Sequence, residues 1–149
     1  MDKAGRLYVR HLATVAAYTS AFAHHTPCMT ALDREEAVQI AWLHDVIEDT
    51  DYGHDELIAE GFSASVVEGV EWLTKGVVCP GPSYADWIKA LAEKAPLPTI
   101  LVKLADVEDN SDPERLALLP EETRVRLLRK YEPAKEVLRA AARQKGWMG

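Results

Sequence analysis

Cysteine is scarce. Cys28 and Cys79 are the only two among 149 residues, and neither lies in a C-x-x-C or Cys/His spacing. That argues against a disulfide framework or a cysteine-built zinc site and points to a reducing cytoplasm, with both thiols inert. Long apolar runs are missing too, and none approaches the roughly 18 residues of a membrane span. The nearest imitation of a leader places Lys3, Arg6 and Arg10 before residues 12–17 and an Ala21-Phe22-Ala23 triplet. It is short and interrupted by His11, Thr14, Tyr18, Thr19 and Ser20, so it reads as part of the folded chain. Blocks of cations are absent as well. Seventeen Lys and Arg against 24 Asp and Glu leave a formal charge of −7, which disfavours nucleic-acid polymers and anionic membranes as partners. A phosphate-bearing ligand would need local neutralisation.

What remains is a chain 48% hydrophobic and 28% charged, without repeats, low-complexity tracts or linkers, which reads as one globular domain over residues 1–149. A chain of this size buries about two thirds of its unfolded surface, so its core needs neither a bridge nor a metal. The apolar spacing is helical nearly everywhere, and the fold class expected is all-α.

A first helix is expected from Tyr8 or His11 to Ala23, closed by Pro27. Asp33 reads as the cap of a second, with Glu36 completing a capping box and the helix continuing to Asp49. Ala37, Ile40 and Ala41 then define an inward stripe on which His44 and Glu48 follow. Short helices are expected over residues 54–60 and 63–74, a loop over 76–82, and a helix capped by Ser83 through Ala95. Over residues 99–110, Ile100, Leu101, Leu104 and Val107 form one face while Thr99, Lys103, Asp106 and Asn110 form another. A last helix over 120–144 carries Leu127, Tyr131, Ala134, Leu138 and Ala141 inward and is expected to kink or break at Pro133. Trp42, Trp72, Trp87 and Trp147 read as core or rim packing, and His24, His25 and His54 as surface or capping residues.

No G-x-S-x-G, P-loop or Cys/His nucleophile pattern is present. The chemistry-bearing residues are histidines and carboxylates, concentrated in Trp42-Leu43-His44-Asp45-Val46-Ile47-Glu48-Asp49-Thr50. On one helix, His44 with Glu48 and Asp45 with Asp49 are i, i+4 neighbours. A mixed imidazole and carboxylate set suits Mn, Fe, Co or Zn, an ion that can activate water. From residue types alone, a solvated acidic helix end stands as the competing explanation.

His11, then His44-Asp45, then Asp106 reproduce the H…HD…D order of the HD-domain metal-dependent phosphohydrolases. Residues 42–50, Gly69-Val70-Glu71-Trp72-Leu73-Thr74-Lys75 and Val102-Lys103-Leu104-Ala105-Asp106 through Asn110 resemble the RelA/SpoT-type alarmone hydrolases within them. The resemblance runs from residue 8 to about residue 131. It implies an HD-domain bundle of about six to eight helices. It also implies that His11, His44, Asp45 and Asp106 ligate one divalent metal, manganese first, with Fe, Co, Zn or Mg as alternatives. Glu48 and Asp49 would orient and deprotonate the attacking water. Lys103 would face phosphate, Asn110 a sugar hydroxyl and Tyr131 the nucleoside, although Lys103 also reads as a solvated lysine and Tyr131 as core. The activity implied is hydrolysis of a phosphoester or pyrophosphate bond of a small-molecule nucleotide, with guanosine 3′,5′-bis(diphosphate) leading. Another nucleotide's monophosphate or triphosphate, or binding without turnover, are the alternatives, and the choice between monomer and homodimer stays open.

Three positions depart from that pattern. Leu12 replaces the proline expected after the first histidine, and only Lys3, Arg6 and Arg10 supply positive charge ahead of it. After Asp106, Val107-Glu108-Asp109-Asn110 replaces an R-L-H-N stretch, and its two acids are expected to repel a tetra-anionic ligand.

Overall fold

The computed structural model describes residues 5, 7–78 and 83–149; Lys3, Arg6, Cys79 and the end of the loop expected over 76–82 lie outside the described residues. Among the described residues the chain forms nine helical segments and no strand. They are α1 (Tyr8–His24), α2 (Ala31–Leu43), α3 (Val46–Asp49), α4 (His54–Ala59), α5 (Ala64–Trp72), α6 (Tyr84–Lys94), α7 (Leu97–Asn110), α8 (Pro113–Leu116) and α9 (Glu121–Gln144). Six of these have nine residues or more. The all-α expectation holds, and none of the helices is long and apolar enough to cross a membrane.

The axis of the bundle is α7, which packs against α1, α2, α5, α8 and α9. Ile100, Leu101, Val102, Leu104, Ala105 and Val107 are fully buried. A helix apolar almost all round belongs inside a fold, not on its surface. The expected polar face of this helix is therefore corrected: Thr99, Lys103, Asp106 and Asp109 are buried as well. The helix starts two residues earlier than expected because Pro98 falls in its first turn, where a missing N–H costs no intrahelical bond. On α5, Gly69 admits the close approach of two neighbours, since a Cβ there would meet Ile40 Cδ1 of α2 at 2.5 Å and Thr99 Oγ1 of α7 at 3.0 Å.

The second helix differs from the expectation at both ends. Its N-cap is Thr30, whose hydroxyl accepts from Asp33 N at 3.1 Å while the Asp33 carboxylate accepts from Thr30 N at 2.8 Å. Asp33 is the reciprocal partner in the capping box, three residues inside the cap. The far end stops at Leu43. His44 Nδ1 donates to the Ala41 carbonyl at 2.7 Å, and Asp45 leaves helical geometry at φ −105° and ψ 1°. A side chain that captures a backbone acceptor offers the chain an alternative to the helical ladder. Four further residues form α3, so His44 and Glu48 do not share one continuous stripe.

The remaining elements follow the pattern of the chain. Ser63 and Ser83 cap α5 and α6 through Val66 N at 3.2 Å and Asp86 N at 3.1 Å. The last helix runs unbroken through Pro133. Trp72, Trp87 and Trp147 are buried, and Trp42 is 45% exposed, which places it outside the core. Replacing Thr30 with alanine removes the cap of the helix that carries His44 and should cost about 1 kcal/mol. Urea unfolding of Thr30→Ala should show the lowered midpoint at an unchanged slope.

Candidate metal centre and its cavity

Three separate stretches of chain bring four side chains to one point. His11 comes from α1, His44 and Asp45 from the break between α2 and α3, and Asp106 from α7. His11 Nε2 and His44 Nε2 are 3.3 Å apart. Asp106 Oδ1 lies 3.2 Å from the first and 3.5 Å from the second, and Asp45 Oδ2 lies 4.0 Å and 3.2 Å from them. Donor atoms of His11, His44 and Asp45 all fall within 4.8 Å of one another, and Asp106 joins the group through both imidazoles. Ligands about 2.1 Å from one ion stand about 3.0 Å apart at right angles and about 4.2 Å apart when opposite, so these separations match a set converging on one cation.

Hydrogen bonds fix which ring nitrogens are available. His44 Nδ1 donates to the Ala41 carbonyl, and His11 Nδ1 faces Asp109 Oδ2 at 2.6 Å. With both Nδ1–H groups engaged, both Nε2 lone pairs point into the cluster, the arrangement that metal-binding histidines adopt. Two such lone pairs facing each other need a positive charge between them, either protons or a metal ion. Burial alone would lower the His11 pKa, but hydrogen bonds with Asp106 and Asp109 outweigh it and raise it to about 9. Burial likewise opposes charge on His44, and Asp106 with Asp45 overcomes it, to about 10. Burial also disfavours the Asp106 carboxylate, yet Lys103 and the two imidazoles hold it well below the usual range.

Around this point a further ring of side chains is tied to the first. Lys103 is 6% exposed, so it is not a solvated lysine; its Nζ donates to Asp106 Oδ2 at 2.8 Å and lies 4.4 Å from the Trp87 ring centroid. Asn110 Nδ2 donates to Asp106 Oδ1 at 2.9 Å. The Tyr8 hydroxyl lies 2.5 Å from Asp45 Oδ2 and 2.9 Å from Asp49 Oδ2, bridging the cluster to the exposed carboxylate of α3. Glu48 Oε1 accepts from Lys75 N at 3.1 Å.

All of these line a cavity of about 760 Å3. Its floor carries His11, Asp45 and Asp106, and its rim carries Glu48, Asp49 and Lys75. Another wall carries Lys103, Arg115 and Lys130 with Tyr84, Trp87 and Tyr131. Tyr131 meets Tyr84 edge to face at 6.0 Å, packs against the core and still faces the cavity, so both of its expected roles are compatible with its place. His24, His25 and His54 are exposed and away from this cavity, as expected.

The acids after Asp106 do not act as expected. Glu108 pairs with Arg139, and Asp109 is buried between His11 and Arg115, where its charge is compensated and unavailable to repel a ligand. The sequence marks Asp109 only as a repelling charge and gives Arg115 and Tyr8 no role at the site. Tyr8 stands one helical turn before His11, a spacing that could have drawn attention to it. Arg115 had no local signal.

A family model described as HD domain matches residues 8–113. Comparison with curated proteins finds no match. Among solved structures the chain is similar to a metazoan ortholog of SpoT described as hydrolysing ppGpp and acting in starvation responses. The identity is 25% and the TM-score 0.65, over 97% of this chain and 85% of that one.

The elevated imidazole pKa values have a measurable consequence in the metal-free protein. A raised folded pKa stabilises the fold most at pH values below the unfolded histidine value of about 6.5, and that contribution disappears as pH climbs through the folded values. The melting temperature of chelator-treated protein should therefore fall between about pH 6.5 and 10, and His44→Gln should flatten that fall.

Proposed function

The chain belongs to the HD-domain family, and we propose that it is a metal-dependent phosphohydrolase that cleaves a phosphoester or pyrophosphate bond of a nucleotide in the cytoplasm. The observation that carries this reading is the pair of imidazoles whose Nε2 atoms face each other at 3.3 Å, with His11, Asp45 and Asp106 of the same cluster lining a cavity with cationic and aromatic walls. His11, His44, Asp45 and Asp106 would hold the ion. Two nitrogens and two carboxylates form a set that suits Mn2+, with Fe, Co, Zn and Mg as alternatives. When bound, such an ion acidifies water and withdraws charge from a phosphoryl oxygen.

The chain's own groups account for the rest. Glu48 and Asp49 sit at the rim as proton acceptors, and the Tyr8 hydroxyl restrains Asp49. A carboxylate outside the ligand set keeps its basicity for the water proton. Lys103 uses one of its three N–H donors on Asp106 and presents a buried positive charge beside the floor, where charge builds on the phosphate. Asn110 would meet a sugar hydroxyl through its remaining amide hydrogen, and Tyr131 with Tyr84 would meet the nucleoside. Guanosine 3′,5′-bis(diphosphate) is the leading substrate. The motif resemblance and the ppGpp-hydrolysing neighbour support it, and Lys75, Lys103 and Lys130 around the cavity would offset its charge.

His44→Ala and Asp106→Ala should each abolish bound Mn2+ and turnover together. Glu48→Gln should keep the metal and lower kcat by about 100- to 10,000-fold. Phosphate and pyrophosphate release should be followed on a panel of the guanosine bis-diphosphate, nucleoside triphosphates and nucleoside monophosphates. Release from the first is expected. Release from another nucleotide alone would reassign the substrate, and tight binding without any release would replace the enzyme with a binding module.

A further inference from the structure

We infer that Arg115 is a positioning residue: one guanidinium nitrogen aims two of the four metal-facing side chains through two intermediaries. This rests on the reading of the cluster as a metal centre. Arg115 Nη1 donates to Asp109 Oδ2 at 2.7 Å and to Asn110 Oδ1 at 2.9 Å; it also stands 3.4 Å from His11 Nδ1, but its two protons are taken by these oxygens and that ring nitrogen is engaged by Asp109. Each acceptor reaches on to the cluster. Asp109 Oδ2 takes the His11 Nδ1 proton at 2.6 Å, and Asn110 Nδ2 donates to Asp106 Oδ1 at 2.9 Å. The two branches end on side chains from different helices, α1 and α7, and both start from a residue in α8.

The fork is anchored at its base. Arg115 N donates to the Asp112 carboxylate at 2.9 Å, Pro113 sets the first turn of α8, and Leu116 beside it is buried. The guanidinium therefore leaves from a fixed backbone. It also ties down the buried Asp109 side chain, and a carboxylate held on Nδ1 fixes the His11 ring in the orientation that leaves Nε2 facing the cluster. The Asn110 amide has no choice of orientation in this network. Its oxygen must face the guanidinium and its nitrogen must face Asp106. Losing Arg115 would release both the carboxylate that orients His11 and the amide that orients Asp106.

Arg115 also lines the cavity, so the rival role is direct contact with a substrate phosphate. The two roles separate in the absence of substrate. Mn2+ affinity should be measured by the paramagnetic resonance signal of the free ion, using chelator-treated wild type, Arg115→Gln, Asp109→Asn and the double variant, each with its metal-free melting temperature. Each single variant should bind Mn2+ about 10- to 100-fold more weakly. The double variant should be no more than about twofold worse than the weaker single, because Asp109 lies on one of the two branches that Arg115 already controls. Affinities within about twofold of wild type in the single variants, with only KM for the nucleotide raised, would overturn the inference, as would losses that multiply. Where Arg115→Gln fails to fold, Arg115→Lys replaces it, and wild-type Mn2+ affinity in that variant counts against the fork. A wild-type protein that binds no Mn2+ would instead overturn the metal centre itself.

Discussion

Asp106 is a carboxylate on a helix that has no solvent face, and at 7% exposure its charge has to be balanced by groups drawn from elsewhere in the chain. A buried ion without a partner costs several kcal/mol, enough to consume much of the stability of a domain this size. Lys103, one turn before it, supplies one compensating charge from the same helix. The rest comes from outside: His11 from α1 and His44 from the end of α2, each within 3.5 Å of Asp106 Oδ1. Because α1 and α2 also pack on α7 and on each other, the constraint on this one carboxylate and the packing of the core reinforce one geometry. The surplus of acceptors at the meeting point, two imidazole lone pairs and two carboxylates, is what makes the place suited to a cation.

The overall charge of −7 and the cavity's own charges answer different questions. At physiological ionic strength fields from exposed charges fade within about 8 Å, so a polymer approaching the outer surface meets the acidic average. A small anion inside the cavity meets Lys75, Lys103, Arg115 and Lys130 at close range, against Asp45 and Asp106 on the floor and Glu48 and Asp49 at the rim, so the lining is locally balanced where the outer surface is acidic. Low net charge of one sign thus argues against a nucleic-acid polymer without arguing against a nucleotide.

Much of this was legible in the chain. The helical class, the serine caps and the gathering of His11, His44, Asp45 and Asp106 all followed from spacing or motif, because each depends on neighbours along the sequence or on a pattern of residue types. What escaped depended on contacts across the fold. The second helix was carried past His44 because its apolar rhythm continues there, whereas the ring of His44 takes the Ala41 carbonyl and ends it. Asp33 and Thr30 are both good caps by type, and only the reciprocal bonds decide between them. Asp109 was read by its charge as repelling a ligand, but its charge is already used by Arg115 and His11, which lie 6 and 98 residues away. Lys103 was weighed as solvated because a lysine on a helix usually is, and the cost of burying it is met by Asp106.

Two short irregular stretches, the break at His44-Asp45 and the single turn of α8, carry chemistry-bearing groups. The break at His44-Asp45 turns Asp45 out of the ladder of α2 and toward His11 and Tyr8, which a continuous helix would not do. The short α8 that follows α7 carries Arg115, and its four residues add only Leu116 to the buried set. The buried apolar core runs through α1, α2, α4, α5, α6, α7 and α9 and includes neither His44-Asp45 nor α8. Stability is thereby supplied by helices that need no metal, while the irregular backbone between and after them is free to be shaped by the polar network it carries. A site built this way can lose its cation, or have a ligand replaced, without the bundle coming apart, which is the property that lets loss of metal and loss of fold be told apart by experiment.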